Sequence, residues 1–398
     1  MAKKVFITGM GVVCSLGMNK HELREALLQG KSGVSHMEIL STKHRGTFPV
    51  GEIKWTDEEL SRLTGTKRKD INRTSLLGLI AAREAVEKIH IPTDNFRLGL
   101  ISGTTVGGMD FTEKYYSDFM RHKKTKNFIQ KNDCGFGTEF IAGELGNVDF
   151  FTTVTTACSS SLNSMIMGAN MIQSGKLDAA IVGGTDALSK FTINGFNSLL
   201  LLDREVCRPF DDSRNGINLG EGAAFLVIES EASLQKTGNR PIAVFDGFGN
   251  ANDAYHPGAI SDNGYGIQLS MQKAIHSTGL PADQIDYVLT HGTATKNNDV
   301  TEGAAIKAVF GENTPAFCSL KSSIGHTLGA SGAINAAISL LAMETKSVFP
   351  NRNFTTLIPE LGIKPVESLT RLPHLDHVLV NAVGMGGFCS SVVISSIS

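Results

Sequence analysis

The chain has 398 residues, 41% of them hydrophobic and 42 of them glycine, which excludes a disordered or fibrous protein and leaves room for two cores or one duplicated α/β body. A formal net charge of −2 removes any general reason to expect nucleic acid or an anionic membrane as partner. Six scattered cysteines without a CxxC pair argue against disulfides and structural zinc and fit a reducing cytoplasm.

Val5 to Val13 reads as a buried strand ended by a glycine turn, not as a signal peptide, and His21 to Leu28 as the helix that follows it. Leu76 to Ile89 predicts a helix, and Arg97 to Ser102 a strand opening into a glycine-rich loop. The aromatic and cationic stretch from about 105 to 140 reads as a helical cap inserted into the core. Ala179 to Val182 predicts a strand ending at Gly183-Gly184, and Gly216 to Glu229 a bent pair of strands. From about Pro241 the plan starts again: strands at Ala243 to Phe248, Tyr287 to Thr290 and Ala316 to Leu320, and helices at Ile267 to Ser277, Glu302 to Phe310 and Gly332 to Met343. Two strands, His377 to Val383 and Ser390 to Ser396, close the chain. The longest apolar helical run, Ala333 to Met343, is too short to span a bilayer.

One junction organises the rest. Phe150 to Val154 is β-branched and aromatic, whereas Leu162, Met165, Ile166, Ala169 and Ile172 recur at helical spacing, and Cys158 stands between them. A cysteine at a helix N-terminus meets unpaired N–H groups and the positive end of the dipole, which favour the nucleophilic thiolate; the plainer alternative is a small buried residue in a tight turn. Two echoes point to duplication: Leu100 to Thr104 resembles Leu289 to Thr293, and the region around Cys158 resembles Cys318 to Met343. His291 and His326 occupy loop ends, where α/β proteins place function, and a cysteine with two histidines supplies a nucleophile and two hydrogen-bond donors. Without a third spaced ligand, zinc is the weaker explanation.

Several motifs in order carry a resemblance over nearly the whole chain: Val5 to Gly9, Thr156-Ala157-Cys158-Ser159-Ser160-Ser161, Arg208-Pro209-Phe210-Asp211 with Gly220 to Ala223, His291-Gly292-Thr293-Ala294-Thr295, Lys321 to His326, and a late glycine turn. The sequence resembles the elongating β-ketoacyl-acyl-carrier-protein synthases. The resemblance implies an α/β thiolase fold of duplicated, five-layer α-β-α-β-α architecture, with residues 1–240 holding the nucleophile and the cap, and residues 241–398 holding the histidines.

It also implies a decarboxylative Claisen condensation in fatty-acid elongation. Cys158 carries the acyl chain, His291 and His326 bind the malonyl thioester carbonyl, and the backbone N–H groups of Cys158 and Met385 form an oxyanion hole. Lys321 is a supporting lysine beside the histidines, and Glu302 an acid paired with it. Thr293 and Thr295 contact the pantetheine arm, Phe196 lies beside the acyl pocket, and Val106 stands near its far end. No metal, flavin or nicotinamide is implied, since the substrates ride on the phosphopantetheine of acyl carrier protein. The implied assembly is a cytoplasmic homodimer, or a heterodimer with a related subunit.

Gly384-Met385-Gly386-Gly387-Phe388-Cys389 departs from the family's Gly-Phe-Gly-Gly-Thr-Asn, so Met385 replaces the aromatic gate and Phe388 joins the substrate side. The serines after Cys158 are closer to polyketide ketosynthases, which keeps a dedicated polyketide or aryl-polyene ketosynthase, paired with a subunit like a chain-length factor, as an alternative. A thiolase lacks support, because Asn381-Ala382-Val383 stands where a second catalytic cysteine belongs; a non-catalytic partner subunit is the alternative of another class. Carrier proteins are acidic, and the resemblance assigns their docking to Lys67, Arg68, Lys69 and Arg73 with Arg204 and Arg208, in competition with Arg121-His122-Lys123-Lys124.

Overall fold

A computed structural model describes residues 3–68, 71–122 and 131–397. Its first part runs β1 (Val5–Cys14), α1 (Lys20–Leu28), α2 (Asp57–Thr64), α3 (Arg73–Val86), β2 (Leu98–Gly103), α4 (Met109–His122), α5 (Cys134–Leu145), β3 (Phe150–Val154), α6 (Ser160–Gln173), β4 (Ala179–Asp186), α7 (Lys190–Ser198), β5 (Gly222–Ser230) and α8 (Glu231–Thr237). The second part runs β6 (Ala243–Asn252), α9 (Tyr265–Thr278), β7 (Tyr287–Leu289), α10 (Lys296–Phe310), β8 (Ala316–Cys318), α11 (Lys321–Ile324), α12 (Ser331–Thr345), β9 (Ser347–Val348), β10 (Thr370–Arg371), β11 (His377–Gly384) and β12 (Phe388–Ser395).

Ten strands form one hydrogen-bonded ribbon in the order β3-β2-β4-β5-β1-β6-β12-β11-β7-β8. Outward from its middle the ribbon runs 1-5-4-2-3 one way and 6-12-11-7-8 the other, and the pairing senses repeat as well. β2 is parallel to β3 and β4, as β7 is to β8 and β11; β5 is antiparallel to β1 and β4, as β12 is to β6 and β11. At the seam, β1 and β6 meet only at Phe6↔Val244 and Ile7↔Ala243.

The two five-strand halves stand on either side of a central helical layer. There α6 packs on β2 and β4, α12 on β5 and β11, and the two helices touch. Outside, α3 and α5 cover the first half, and α9 covers the second with α10 packed against it, which gives the five layers expected. A helix sandwiched between sheets must be apolar all round, and every residue of α12 from Ser331 to Ala342 is buried. Small residues allow the close approach: a Cβ on Gly332 would lie 2.5 Å from Leu162 Cγ of α6.

The structure departs from the sequence reading at several places, among them α10, which starts at Lys296 rather than Glu302, and α2, which the sequence reading does not predict. α3 starts at Arg73 rather than Leu76, because the Asn72 side chain accepts the Ser75 N–H and caps it earlier. β4 runs through Gly183-Gly184 to Asp186, paired on both sides. Residues 216–220 do not pair with β5 as a bent second strand; they make isolated bridges, Leu202↔Ile217, Gly51↔Gly220 and Leu219↔His326, and so brace the loop that carries His326. The cap region holds α4 and most of α5. Among the described residues, no helix is long and apolar enough to cross a membrane.

Candidate active site

Between β3 and α6 the chain makes a tight turn in which Ala157 adopts a φ of 51° and Cys158 is 5% exposed. The serines after the cysteine hold this turn. Ser159 Oγ donates to the Thr156 carbonyl at 2.8 Å, Ser160 Oγ accepts the Thr156 N–H at 2.9 Å, and Ser161 Oγ accepts the Ala333 N–H of α12 at 2.9 Å. From the other half, the end of β11 leans on the turn so closely that a Cβ at Gly384 would lie 2.7 Å from Thr156 O and 3.3 Å from Cys158 N. Glycine is required there for lack of space. The backbone N–H groups of Met385 and Cys158 lie near enough to the sulfur to favour its thiolate form.

The structure brings the cysteine and both histidines together. His326 Nε2 lies 3.1 Å from Cys158 Sγ, the two imidazoles meet edge to face with centroids 5.1 Å apart, and both are buried. Their donor atoms and the sulfur lie within 4.8 Å of one another, a set that geometry alone would allow to hold a metal ion. Ligating histidines are normally oriented through their second nitrogen, whereas Nδ1 of both rings is buried without a hydrogen-bond partner. A sulfur–imidazole pair explains the arrangement better than a cation does.

Burial reverses the expected thiolate. Desolvation pushes the Cys158 thiol up to about 12, against the smaller opposing effects of Lys321 and the two N–H groups. Burial, and then the Lys321 charge, hold both histidines well below the ordinary imidazole range, so the rings are neutral. The resting pair is therefore a thiol beside a neutral base. Lys321 is also buried, with its pKa lowered to about 8 by desolvation; its ammonium donates to the His291 carbonyl and, at 3.4 Å, to Ser331 Oγ.

Glu302 makes no salt bridge to Lys321. Its carboxylate accepts the N–H groups of His291 (2.8 Å) and Gly292 (2.7 Å) and the Asn381 amide (3.2 Å), because it sits inside α10 behind the end of β7. Glu302 and Lys321 thus hold the same residue, His291, from its amide and its carbonyl.

A cavity of about 390 Å³ opens on this cluster, lined among others by Phe196, Leu200, Ile217, Thr293, Thr295 and Met385. Thr293 and Thr295 hydroxyls meet at 2.8 Å. Val106 and Phe388 do not line it: Val106 packs with Phe196 on a satellite apolar cluster around Phe48 and Ile193, and Phe388 is 36% exposed, with its ring against Gly386.

The basic residues separate. Arg73 is buried, its guanidinium 2.8 Å from Glu221 and 3.1 Å from Asp57; it ties α3 to the start of β5 and cannot receive a carrier. Lys67 and Arg68 are exposed, with Arg68 5.4 Å over the Phe140 ring, while Lys69 lies outside the described residues, as do Lys123 and Lys124 of the competing run. Arg208 pairs with Glu205, and Arg204 is exposed.

Three residues at or beside the site escape a reading of the sequence. Asp186, at the end of β4, accepts Thr104 Oγ1 (2.5 Å) and the N–H groups of Thr105 and Gly329, and thereby links the loop supporting Cys158 to the loop of His326. Its one signal is a carboxylate directly after a buried glycine strand. Lys296 lines the cavity immediately after Thr295, and Leu200 lines it from a run of four leucines that reads as core.

Residues 2–233 match the model of the Beta-ketoacyl synthase N-terminal domain, and residues 242–355 that of the Beta-ketoacyl synthase C-terminal domain. The chain is 31% identical to 3-oxoacyl-[acyl-carrier-protein] synthase 2 of Staphylococcus aureus (strain N315), covering 97% of this chain and 96% of the relative. It is also 31% identical to the chloroplastic 3-oxoacyl-[acyl-carrier-protein] synthase II of Arabidopsis thaliana, over 98% of this chain and 75% of the relative. Among solved structures, the ishigamide ketosynthase/chain length factor superposes with a TM-score of 0.93 at 30% identity and full coverage of both chains.

Proposed function

The chain belongs to the β-ketoacyl synthase family, and from that premise we propose that it condenses an acyl chain held on Cys158 with malonyl-acyl carrier protein, in fatty-acid chain elongation. The observation that carries this reading is the 3.1 Å approach of His326 Nε2 to the Cys158 sulfur, beside a second neutral imidazole.

In the first step Cys158 Sγ attacks the thioester carbonyl of the acyl carrier protein while its proton passes to neutral His326. The tetrahedral oxyanion is met by the N–H groups of Cys158 and Met385, and the carrier thiol leaves with the proton His326 returns. Malonyl carrier protein then enters. His291 offers its N–H to the thioester carbonyl, and His326 does the same once its proton sits on Nε2 rather than Nδ1, so the enolate formed as carbon dioxide departs meets two donors in a buried site. The enolate carbon attacks the acyl-cysteine carbonyl, the new carbon–carbon bond forms, and Cys158 leaves as a thiolate, favoured by Lys321 and the two N–H groups, which then takes up one proton from solvent to restore the resting thiol. Lys321 also disfavours imidazolium, which keeps both rings able to act as neutral donors. All substrates ride on phosphopantetheine, so Thr293, Thr295 and Phe196 in the cavity wall are assigned to its arm and the acyl chain. Six free cysteines suit a reducing cytoplasm.

The test is intact-protein mass spectrometry after mixing with acyl and malonyl carrier protein. Acylation at Cys158, carbon dioxide release and ketoacyl product are expected, with all three lost in Cys158→Ala. Acylation that persists in Cys158→Ala overturns the mechanism. A second reading, a polyketide or polyene ketosynthase paired with a chain-length-factor-like subunit, has its support in the likeness to the ishigamide protein and in Met385 at the turn. Which carrier protein supports product formation, and whether the protein is active alone, separate the two.

A further inference from the structure

Two of the chain's left-handed residues with side chains flank the reacting pair. Ala157, with a φ of 51°, immediately precedes Cys158, and Leu328, with a φ of 50°, follows His326 by two residues. A Cβ is strained in that region, and such strain persists only where the surroundings hold the backbone. One carboxylate reaches both turns. Asp186 Oδ2 accepts the N–H of Gly329, directly after Leu328, at 2.7 Å and the N–H of Thr105 at 2.8 Å. Thr105 in turn donates its hydroxyl to the Ala157 carbonyl at 3.2 Å. Asp186 Oδ1 accepts the Thr104 hydroxyl at 2.5 Å and the Val106 N–H at 3.4 Å. The second turn lies so close that a Cβ on Gly329 would stand 2.7 Å from Asp186 Oδ2 and 2.8 Å from Thr105 N. Asp186 is fully buried, and every partner it has among the described residues is an N–H or O–H group, none a cation. Its charge opposes the Cys158 thiolate that Lys321 favours, so electrostatic activation of the sulfur does not explain it. Geometry does.

Resting on the condensing reading above for the step it serves, we propose that Asp186 is a positioning residue for transfer of the acyl chain to Cys158. It clamps the two strained turns in one register and so keeps His326 Nε2 within reach of the sulfur. Two features of the pair call for such a clamp. A thiol and a neutral imidazole have no charge attraction to hold their 3.1 Å approach. Nor is the ring oriented from behind, because Nδ1 of His326 is buried without a hydrogen-bond partner. Placement of the base therefore falls to the backbone of its turn. The clamp also crosses the repeat: Thr105 and Asp186 belong to the first half, Gly329 to the second. Asp186 acts through the sulfur and its base and touches neither substrate nor reacting atom.

The test measures single-turnover acylation of Cys158 by octanoyl acyl carrier protein of Staphylococcus aureus, and alkylation of the same cysteine by iodoacetamide, which needs neither carrier nor thioester; peptide mass spectrometry reads both. Asp186→Ala is expected to slow both reactions about 10²-fold. Asp186→Asn is expected to recover to within about fivefold of wild type, because its Oδ1 keeps the Thr105 and Gly329 N–H groups while the Thr104 hydroxyl turns to accept from Nδ2. The deciding measurement is a double-mutant cycle. In a His326→Ala background, Asp186→Ala is expected to slow alkylation by no more than about a further twofold, since no base is left to place. Thr105→Val severs the tie to Ala157 but leaves the carboxylate, so it supplies the same cycle, with about a tenfold loss, should Asp186→Ala not fold. A loss that persists in full without His326, or alkylation unchanged in Asp186→Ala, overturns the positioning role and leaves the condensing function standing. A wild type that shows these dependences in alkylation but takes no acyl chain from carrier protein overturns the condensing function and leaves the clamp standing.

Discussion

The two strand-to-helix turns at the centre of the molecule, β3 to α6 and β8 to α12, hold equivalent places in the repeated topology and do different work. The first is short, with only residues 155–159 between its strand and helix, and presents one sulfur braced by its own serines. The second is long enough to hold α11 and a further single turn, and presents Lys321 and His326. Equivalent backbones therefore divide one chemistry: the short turn fixes an electrophile-accepting atom, while the long one supplies a base and a charge.

Three experiments break or sharpen this division. His291 and His326 share a cavity, but only His326 touches the sulfur. His291→Ala is expected to slow carbon dioxide release roughly 10²–10³-fold, while acylation of Cys158 falls by less than about tenfold; equal losses in both steps would erase the distinction between the rings. Gly384→Ala tests how firmly the short turn is held from the second half. A Cβ against Thr156 O should displace Cys158, with acylation slowed about 10²-fold and stability lowered by about 1–3 kcal/mol; normal acylation would show that the turn yields freely.

The smallest effect concerns Lys321. The folded chain releases its proton at about 8, below the ordinary lysine value of 10.5. Between those values the unfolded chain binds more protons, so stability rises with pH across that window. Acylation should move the opposite way and decline by about tenfold above pH 8, because the charge that assists the thiolate is lost. Lys321→Met should remove both trends, and rate and stability rising together would contradict the assignment.

The strands, helices and repeat were legible because apolar periodicity is local and strong. Leu162, Met165, Ile166, Ala169 and Ile172 are all buried on α6 where their spacing put them. The cysteine and histidines were legible because each stands in a glycine or serine loop between a strand and the helix that follows it. What was not legible depends on distant partners. Arg73 reads as part of a basic run until Glu221, 148 residues away, buries it. The dipole at the start of α6 favours a thiolate, but burial is a property of the whole fold and outweighs it. Glu302 and Lys321 invite pairing by charge, yet backbone N–H groups at the end of β7 claim the carboxylate first. Leu200 escapes because Leu199 to Leu202 looks like core, and nothing in a run of leucines marks those that line the cavity.

The sulfur and its base are 168 residues apart in the chain. At a synthesis rate of roughly 5–20 residues per second, the nascent polypeptide carries Cys158 for about 8–34 seconds before His326 has been made. During that interval the cysteine is an ordinary, unactivated thiol. Separating the pair between the two halves makes reactivity the last property the chain acquires, and a truncated product bears a nucleophile that has no base.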